Sequence, residues 1–167
     1  MGRPKALLPV RGRALLLHHI DGFLRAGLPV SVVVGGHSHE ILAALDGVDV
    51  HVVLNPRWRE TGMADSLRLA QASILASGAP AAAIITPVDA PPGAPATLSA
   101  LLAATDDAVP TFRGAPGHPV RLAGPLTATE RLDHRLRDAQ RIPVDDPDCL
   151  LNLNTPEEWA GWVGTRE

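Results

Sequence analysis

The chain has 167 residues, enough for one compact domain, and 46% of them are hydrophobic, which suffices for a sizeable core. Aromatics are only 3% and Tyr is absent, so that core must be built from Val, Leu, Ile and Ala, as in sheets covered by helices on both faces. Fifteen Lys+Arg against 18 Asp+Glu leave a net charge of -3, without the basic excess that would draw in nucleic acid, and a lone cysteine, Cys149, excludes an internal disulfide.

A single thiol fits a reducing compartment. No apolar run follows the start, position 6 is Ala where a myristoylation signal needs Ser or Thr, and no stretch reaches membrane-spanning length. A cytoplasmic protein without membrane partners is expected.

Residues 14–26 carry Leu16, Leu17, Ile20, Phe23 and Leu24 at helical spacing, and Gly27 and Pro29 end the pattern. Val30, Val32, Val33 and Val34, closed by Gly35 and Gly36, read as a buried parallel strand. Ser38 is placed to cap a helix through about Leu45. Residues 48–54 form a second Val-rich strand, broken by Asn55-Pro56, and a loop runs on to Gly62. Met63, Leu67, Ala70 and Ile74 then repeat as a helix, and residues 81–85 are an apolar strand that leads to Asp89. After a loop with three prolines comes a helix around Leu98, Leu101 and Leu102. Short strands are predicted over 108–112 and 119–122, a helix over 130–139, and strand-rich closing structure over 143–153. Thr155-Pro156-Glu157-Glu158 supplies an N-cap Thr, a first-turn Pro and a Glu at the third helical position, so a helix starts there.

Alternating strands and helices predict a single α/β domain over 1–167. Its form is a three-layer α/β/α sandwich around a mostly parallel, Rossmann-like sheet, with ligands bound beyond the carboxyl ends of the strands. Lys5, between constrained Gly2-Arg3-Pro4 and the first helix, is a compact cation suited to polyphosphate charge, or else a solvated surface lysine. Gly62, Met63 and Ser66 open a helix whose free N–H groups can meet an anion or a carbonyl, or form an ordinary cap. Asp89, fixed by prolines at a strand end, offers the hard oxygen a divalent cation wants, or bonds its own turn. Asn152 and Asn154 lie two apart, so on an extended segment both leave by one face and could reach the same metal; Asn154 could equally satisfy backbone before the Thr155 cap. His37 and His39 lack a third ligand, and His18 and His19 point to different sides of a helix, so neither pair makes a site. Trp58, Trp159 and Trp162 read as packing residues, since no basic patch accompanies them.

Taken in order, five motifs over nearly the whole chain resemble the molybdenum-cofactor nucleotidyltransferases, especially their cytidylyltransferase branch. Met1-Gly2-Arg3-Pro4-Lys5 looks like the second half of the opening signature Leu-Ala-Ala-Gly-x-Ser-x-Arg-Met-Gly-x-Pro-Lys. Asn55 through Leu67 is similar to Asn-x-x-Trp-x-x-Gly-Met-x-x-Ser-Leu, Asp89-Ala90-Pro91 to the Asp-x-Pro metal motif, and Gly117-His118-Pro119-Val120 to a Gly-His-Pro-Val motif. Asn152-Leu153-Asn154-Thr155-Pro156-Glu157-Glu158 resembles the closing motif of the guanylyltransferase branch.

The resemblance implies the fold of the nucleotide-diphosphosugar transferases and transfer of CMP from CTP to the phosphate of molybdopterin, with or without molybdenum, releasing pyrophosphate. It implies that Lys5 and Asp89 are catalytic, that Lys5, Gly35, Gly62, Met63 and Ser66 bind nucleotide, and that Gly117 and His118 face the acceptor. It further implies that Asp89, Asn152 and Asn154 hold Mg²⁺. The alternatives are a guanylyltransferase of the same pathway, a sugar-1-phosphate nucleotidyltransferase, or an inactive pterin- or partner-binding module serving a molybdoenzyme. The signature also implies a central strand and Gly-rich loop ahead of Met1. Their absence predicts an incomplete unit whose strand near Pro29 keeps an unpaired apolar edge, open to self-association.

Overall fold

The computed structural model describes residues 4–80 and 82–165. Met1, Gly2 and Arg3 of the opening motif lie outside them, as does Ala81. A 3-10 turn at Lys5–Leu7 leads into a hairpin of β1 (Pro9–Val10) and β2 (Arg13–Ala14), then α1 (Leu15–Arg25), β3 (Ser31–Val34), α2 (Ser38–Ala44), β4 (His51–Leu54) and α3 (Met63–Ala76). The second half runs β5 (Ala83–Ile85), α4 (Pro95–Ala103), β6 (Ala108–Phe112), β7 (Ala115–Pro116), β8 (Val120–Leu122), α5 (Leu132–Arg135), β9 (Gln140–Pro143), a 3-10 turn at Pro147–Leu150 and α6 (Pro156–Gly164).

The α/β class and the alternation of elements agree with the sequence reading, but the sheet does not. β3 and β4 are parallel, with Val32 opposite Val52 and Val34 opposite Leu54. In the larger sheet β8 lies antiparallel between β5 and β6, β7 pairs antiparallel with β6, and only β9 joins β6 in parallel. The expectation of a mostly parallel sheet is therefore corrected. One part of the cause is local: Arg113 and Gly114 both take positive φ, 51° and 85°, which makes a two-residue hairpin turn and sets β6 and β7 antiparallel. Arg11 and Gly12, with φ of 46° and 75°, do the same between β1 and β2. Among the described strands, β3 bonds only to β4 and β5 only to β8, so each keeps one edge without a strand partner.

Three further expectations change. His37, at φ 54°, occupies the cap position of α2, so Ser38 lies inside the helix and caps nothing. The helix expected over 130–139 shrinks to Leu132–Arg135. The strand-rich segment expected over 143–153 is instead the end of β9 and a 3-10 turn.

Helices cover both faces of the β3–β4 pair. Leu16 and Ile20 of α1 pack with Leu45, Val32 and Val52, while on the opposite face His51 Nε2 bonds Ser73 Oγ of α3 at 2.8 Å. Leu122, Leu126 and Leu132 gather with Ile85 of β5 and with Ala64 and Leu67 of α3, which seats α3 against the larger sheet as well. α6 packs Trp162, beside Trp159, onto Val10, Leu15 and Leu153. Both C-terminal tryptophans are thus packing residues. Burying each such side chain contributes about 1.5–3 kcal/mol, so α6 fixes the segment just before it.

Candidate functional site

That segment is held at its helix entry by reciprocal capping. Thr155 Oγ1 accepts from Glu158 N at 3.1 Å, and Glu158 Oε2 accepts from Thr155 N at 2.9 Å and from Asn154 N at 2.8 Å. The capping carboxyl lies below its usual range because those backbone N–H groups favour the charged form. Asn154, pinned in this way, presents Oδ1 to Lys5 Nζ at 2.6 Å, and Lys5 also donates to Asp89 Oδ2 at 3.2 Å. Leu153 N donates to the Asp89 carbonyl at 2.6 Å, so the two loops are tied together by backbone as well.

Lys5, Asp89 and Asn154, far apart in sequence, therefore form one group. Asn152 makes no side-chain hydrogen bond to it among the described residues, and Asn154 N bonds back to Asn152 O at 3.0 Å, a three-residue turn in place of the extended strand expected for the pair. Two hard oxygens converging on an ammonium mark a point that favours a cation. Mg²⁺ keeps most of its waters and takes only one or two protein oxygens, so Asp89 and Asn154 fit its donor chemistry. Among the described residues no group of three or more His, Cys, Asp or Glu could cage a metal, and His37 is spent on Glu40 at 3.0 Å.

His118 lies on the Asp89 side of this group. Burial lowers its pKa, and the charge of Asp89 opposes that shift. Its N–H donates to the Cys149 carbonyl at 2.8 Å, while its buried Nδ1 has no partner. Gly117 stands so close to the Cys149 backbone that a Cβ there would overlap the carbonyl. This turn is therefore moulded to the 3-10 turn at Pro147–Leu150, a packing role that its motif alone did not disclose.

A second group stands at the carboxyl ends of β3 and β4. Asn55, 3% exposed, donates from Nδ2 to Thr61 Oγ1 and Ser66 Oγ, both at 3.0 Å, and accepts from Arg57 N at 3.0 Å. It is the hub of the loop that leads to Gly62, and sequence reasoning gave it no role of its own. Ser66 is one of its anchors. A Cβ on Gly35 would meet Trp58 Cβ at 2.6 Å, and one on Gly36 would meet the indole at 3.1 Å, so the two glycines are a shelf for Trp58. The indole is 43% exposed and carries Arg59 over its ring at 4.9 Å.

Met63, 61% exposed, opens α3 at the mouth of this loop. Asp65 Oδ2 accepts from Gly62 N at 3.0 Å, and Asp65 Oδ1 pairs with Arg68 at 3.0 Å. A carboxylate already sits at this helix start, so the remaining N–H groups suit neutral carbonyls better than phosphate. A separate cleft of about 410 Å³, bordered by Val10, His18, Pro92, Leu98 and Trp162, contains none of the predicted site residues.

Residues 1–143 match the family model of the MobA-like NTP transferase domain. An alignment of 74 positions that covers 41% of this chain is 36% identical to CMP-5'-(3-aminopropyl)phosphonate synthase of Streptomyces rubellomurinus (strain ATCC 31215), and spans 12% of that protein's length. Rv0371c from Mycobacterium tuberculosis H37Rv, solved as a complex with manganese, is 26% identical with a TM-score of 0.75, covering 98% of this chain and 93% of its own. Mth528, a nucleotidyl transferase from Methanothermobacter thermautotroptrophicus, shares the fold with a TM-score of 0.77 at 21% identity over 96% of this chain and 84% of its own. Among the described residues no helix is long and apolar enough to cross a membrane.

Proposed function

Because the chain belongs to the MobA-like NTP transferase domain family, we propose that it transfers CMP from CTP to the phosphate of molybdopterin or of the molybdenum cofactor, releasing pyrophosphate. The observation that carries this reading is the Lys5 ammonium held between the Asp89 and Asn154 oxygens. The motifs around Lys5 and Asp89 resemble the cytidylyltransferase branch, while the closing motif around Asn154 resembles the guanylyltransferase branch. The name of the Streptomyces relative, a synthase of a CMP-linked phosphonate, favours cytidine over guanosine and an acceptor with a phosphorus oxyanion.

In the reaction an oxygen of the acceptor phosphate bonds to the α-phosphorus. The bond from that phosphorus to the bridging oxygen breaks, and its electron pair leaves with pyrophosphate. The acceptor oxygen is already ionised, so no proton has to move. Two anions must meet in line, and the protein's task is charge neutralisation and alignment.

Lys5 neutralises the triphosphate and is steered by Asp89 and Asn154. Mg²⁺, or manganese as in the Rv0371c complex, would be held by Asp89 and Asn154 and supply the remaining positive charge across the phosphates. Gly35, Gly62, Met63 and Ser66 shape the nucleotide side, where the Asp65 carboxylate turns phosphate away and leaves base and ribose. Gly117 and His118 set the acceptor side, where burial disfavours a charge on the His118 ring.

The test is to incubate the protein with molybdopterin, Mg²⁺ and an equimolar mixture of CTP and GTP, and weigh the product by mass spectrometry. The cytosine dinucleotide is expected. A guanine dinucleotide would reassign the base, and unreacted molybdopterin with both triphosphates intact would remove this acceptor.

A further inference from the structure

His19 lies on α1 against the segment that carries Asp89. It is 5% exposed, and its ring nitrogens make no well-formed hydrogen bond, their polar neighbours being the backbone of Ala90 and Val88. The backbone of Ala90 and of Val88 faces the ring. Ala90 is fully buried there, and Val88 packs into the cluster formed by Leu16 and Ile20 of the same helix. The imidazole is thus a wedge between α1 and the two residues that flank Asp89.

A buried ring whose nitrogens are only weakly satisfied by neighbouring backbone costs stability that a hydrocarbon of similar size would not. Packing alone is served better by Leu or Phe at this position. Local costs of this kind concentrate beside functional groups, where the surrounding structure holds them in place. Burial keeps the ring neutral, with its pKa lowered to about 4, so it carries one donor and one acceptor toward the loop.

We propose that His19 is a positioning residue, whose ring sets the height of the Val88–Ala90 backbone and so fixes where the Asp89 carboxylate meets the divalent cation. The inference rests on the reading that Asp89 holds that cation. It does not place His19 in contact with metal or substrate.

The experiment is a Mn²⁺ titration of the full chain, followed by the electron paramagnetic resonance of free Mn²⁺ and paired with thermal melts, for the wild type, His19→Leu, His19→Gln and Asp89→Asn. His19→Leu should melt higher than the wild type yet bind Mn²⁺ about tenfold more weakly, the usual size for losing a group that orients a metal ligand. His19→Gln, which restores a donor and an acceptor, should recover most of the affinity. If His19→Leu does not fold, His19→Phe carries the same expectation. Wild-type affinity in the apolar variant would overturn the proposal, as would a loss that follows the melting temperature and is not rescued by Gln. Asp89→Asn separates the two readings: undiminished Mn²⁺ binding there removes Asp89 as the ligand, whereas lost binding in Asp89→Asn with none lost in His19→Leu removes only His19.

Discussion

Lys5 Nζ stands 3.2 Å from Asp89 Oδ2, joining residues 84 apart in sequence, and the two side chains are 30% and 32% exposed. A pair this open contributes little to folding, about 0–1 kcal/mol. Its charges face solvent, where a polyphosphate can reach them.

Asp89→Asn should therefore leave the thermal midpoint nearly unchanged and still lower the turnover number by about 10²–10³, the size expected for removing one preorganised electrostatic contact. Lys5→Ala should act in the same direction on activity. Melting curves and steady-state rates on the same preparations check both. A variant that loses activity only in proportion to its stability would make the pair structural.

Acid should destabilise the fold through His19 well before the carboxylates titrate. Burial lowers its pKa from 6.5 to about 4, with neighbouring His18 adding to the shift and the Ala90 and Val88 backbone and Asp89 opposing it. The unfolded chain takes up a proton at His19 as the pH falls below 6.5, while the folded chain resists until about 4. Stability is complete above 6.5 and declines between 6.5 and 4, by roughly 3 kcal/mol at one proton per molecule. Burial lowers the pKa of His118 as well and adds a loss of the same sign. Denaturant titrations from pH 7.5 to 4 should show a shallower decline in His19→Leu than in the wild type; identical slopes would contradict the assignment.

Gly36→Ala tests whether Trp58 is seated as described. The added Cβ would meet the indole at 3.1 Å and push it off its shelf, a cost of about 1 kcal/mol. In a Trp58→Ala background that conflict vanishes, so the same substitution should cost little there. A double-mutant cycle in urea gives the coupling directly. Additive effects would mean that the indole does not rest on Gly36.

Gly117→Ala should be the more damaging glycine change. Its Cβ overlaps the Cys149 carbonyl, a backbone atom that cannot swing aside as a side-chain tip can. Displacing the turn should cost about 1–3 kcal/mol and break the His118 N to Cys149 O bond. The check is a lowered midpoint together with a raised KM for the acceptor and an unchanged KM for CTP.

Much of this arrangement was legible in the sequence. The Val runs gave β3 and β4, and Thr155 with Glu158 gave the start of α6, because apolar periodicity and capping are set by neighbours in sequence. Asp89 could be singled out as a residue fixed at a strand end. The antiparallel sheet was not read, although Arg11-Gly12 and Arg113-Gly114 are both residue-Gly pairs between short strands; arginine in a left-handed turn position is a weaker signal than Asn or Asp. Asn152 was grouped with Asn154 on an assumed extended backbone, and a short-range backbone bond makes a turn there instead. The roles of Asn55 as loop hub and of Gly117 as a close contact arise from tertiary neighbours, Ser66 and Cys149, which no local pattern announces.

The central claim is that this chain transfers a nucleotidyl group at the point marked by Lys5 and Asp89. The most direct measurement follows label from CTP carrying ³²P at either the α or the γ position, in the presence of molybdopterin and Mg²⁺, for the wild type and Asp89→Asn. The account predicts that α-label enters the pterin product, that γ-label leaves entirely as pyrophosphate, and that Asp89→Asn nearly abolishes both. Release of γ-label as inorganic phosphate with no α-label in the pterin, or full transfer by Asp89→Asn, would contradict it.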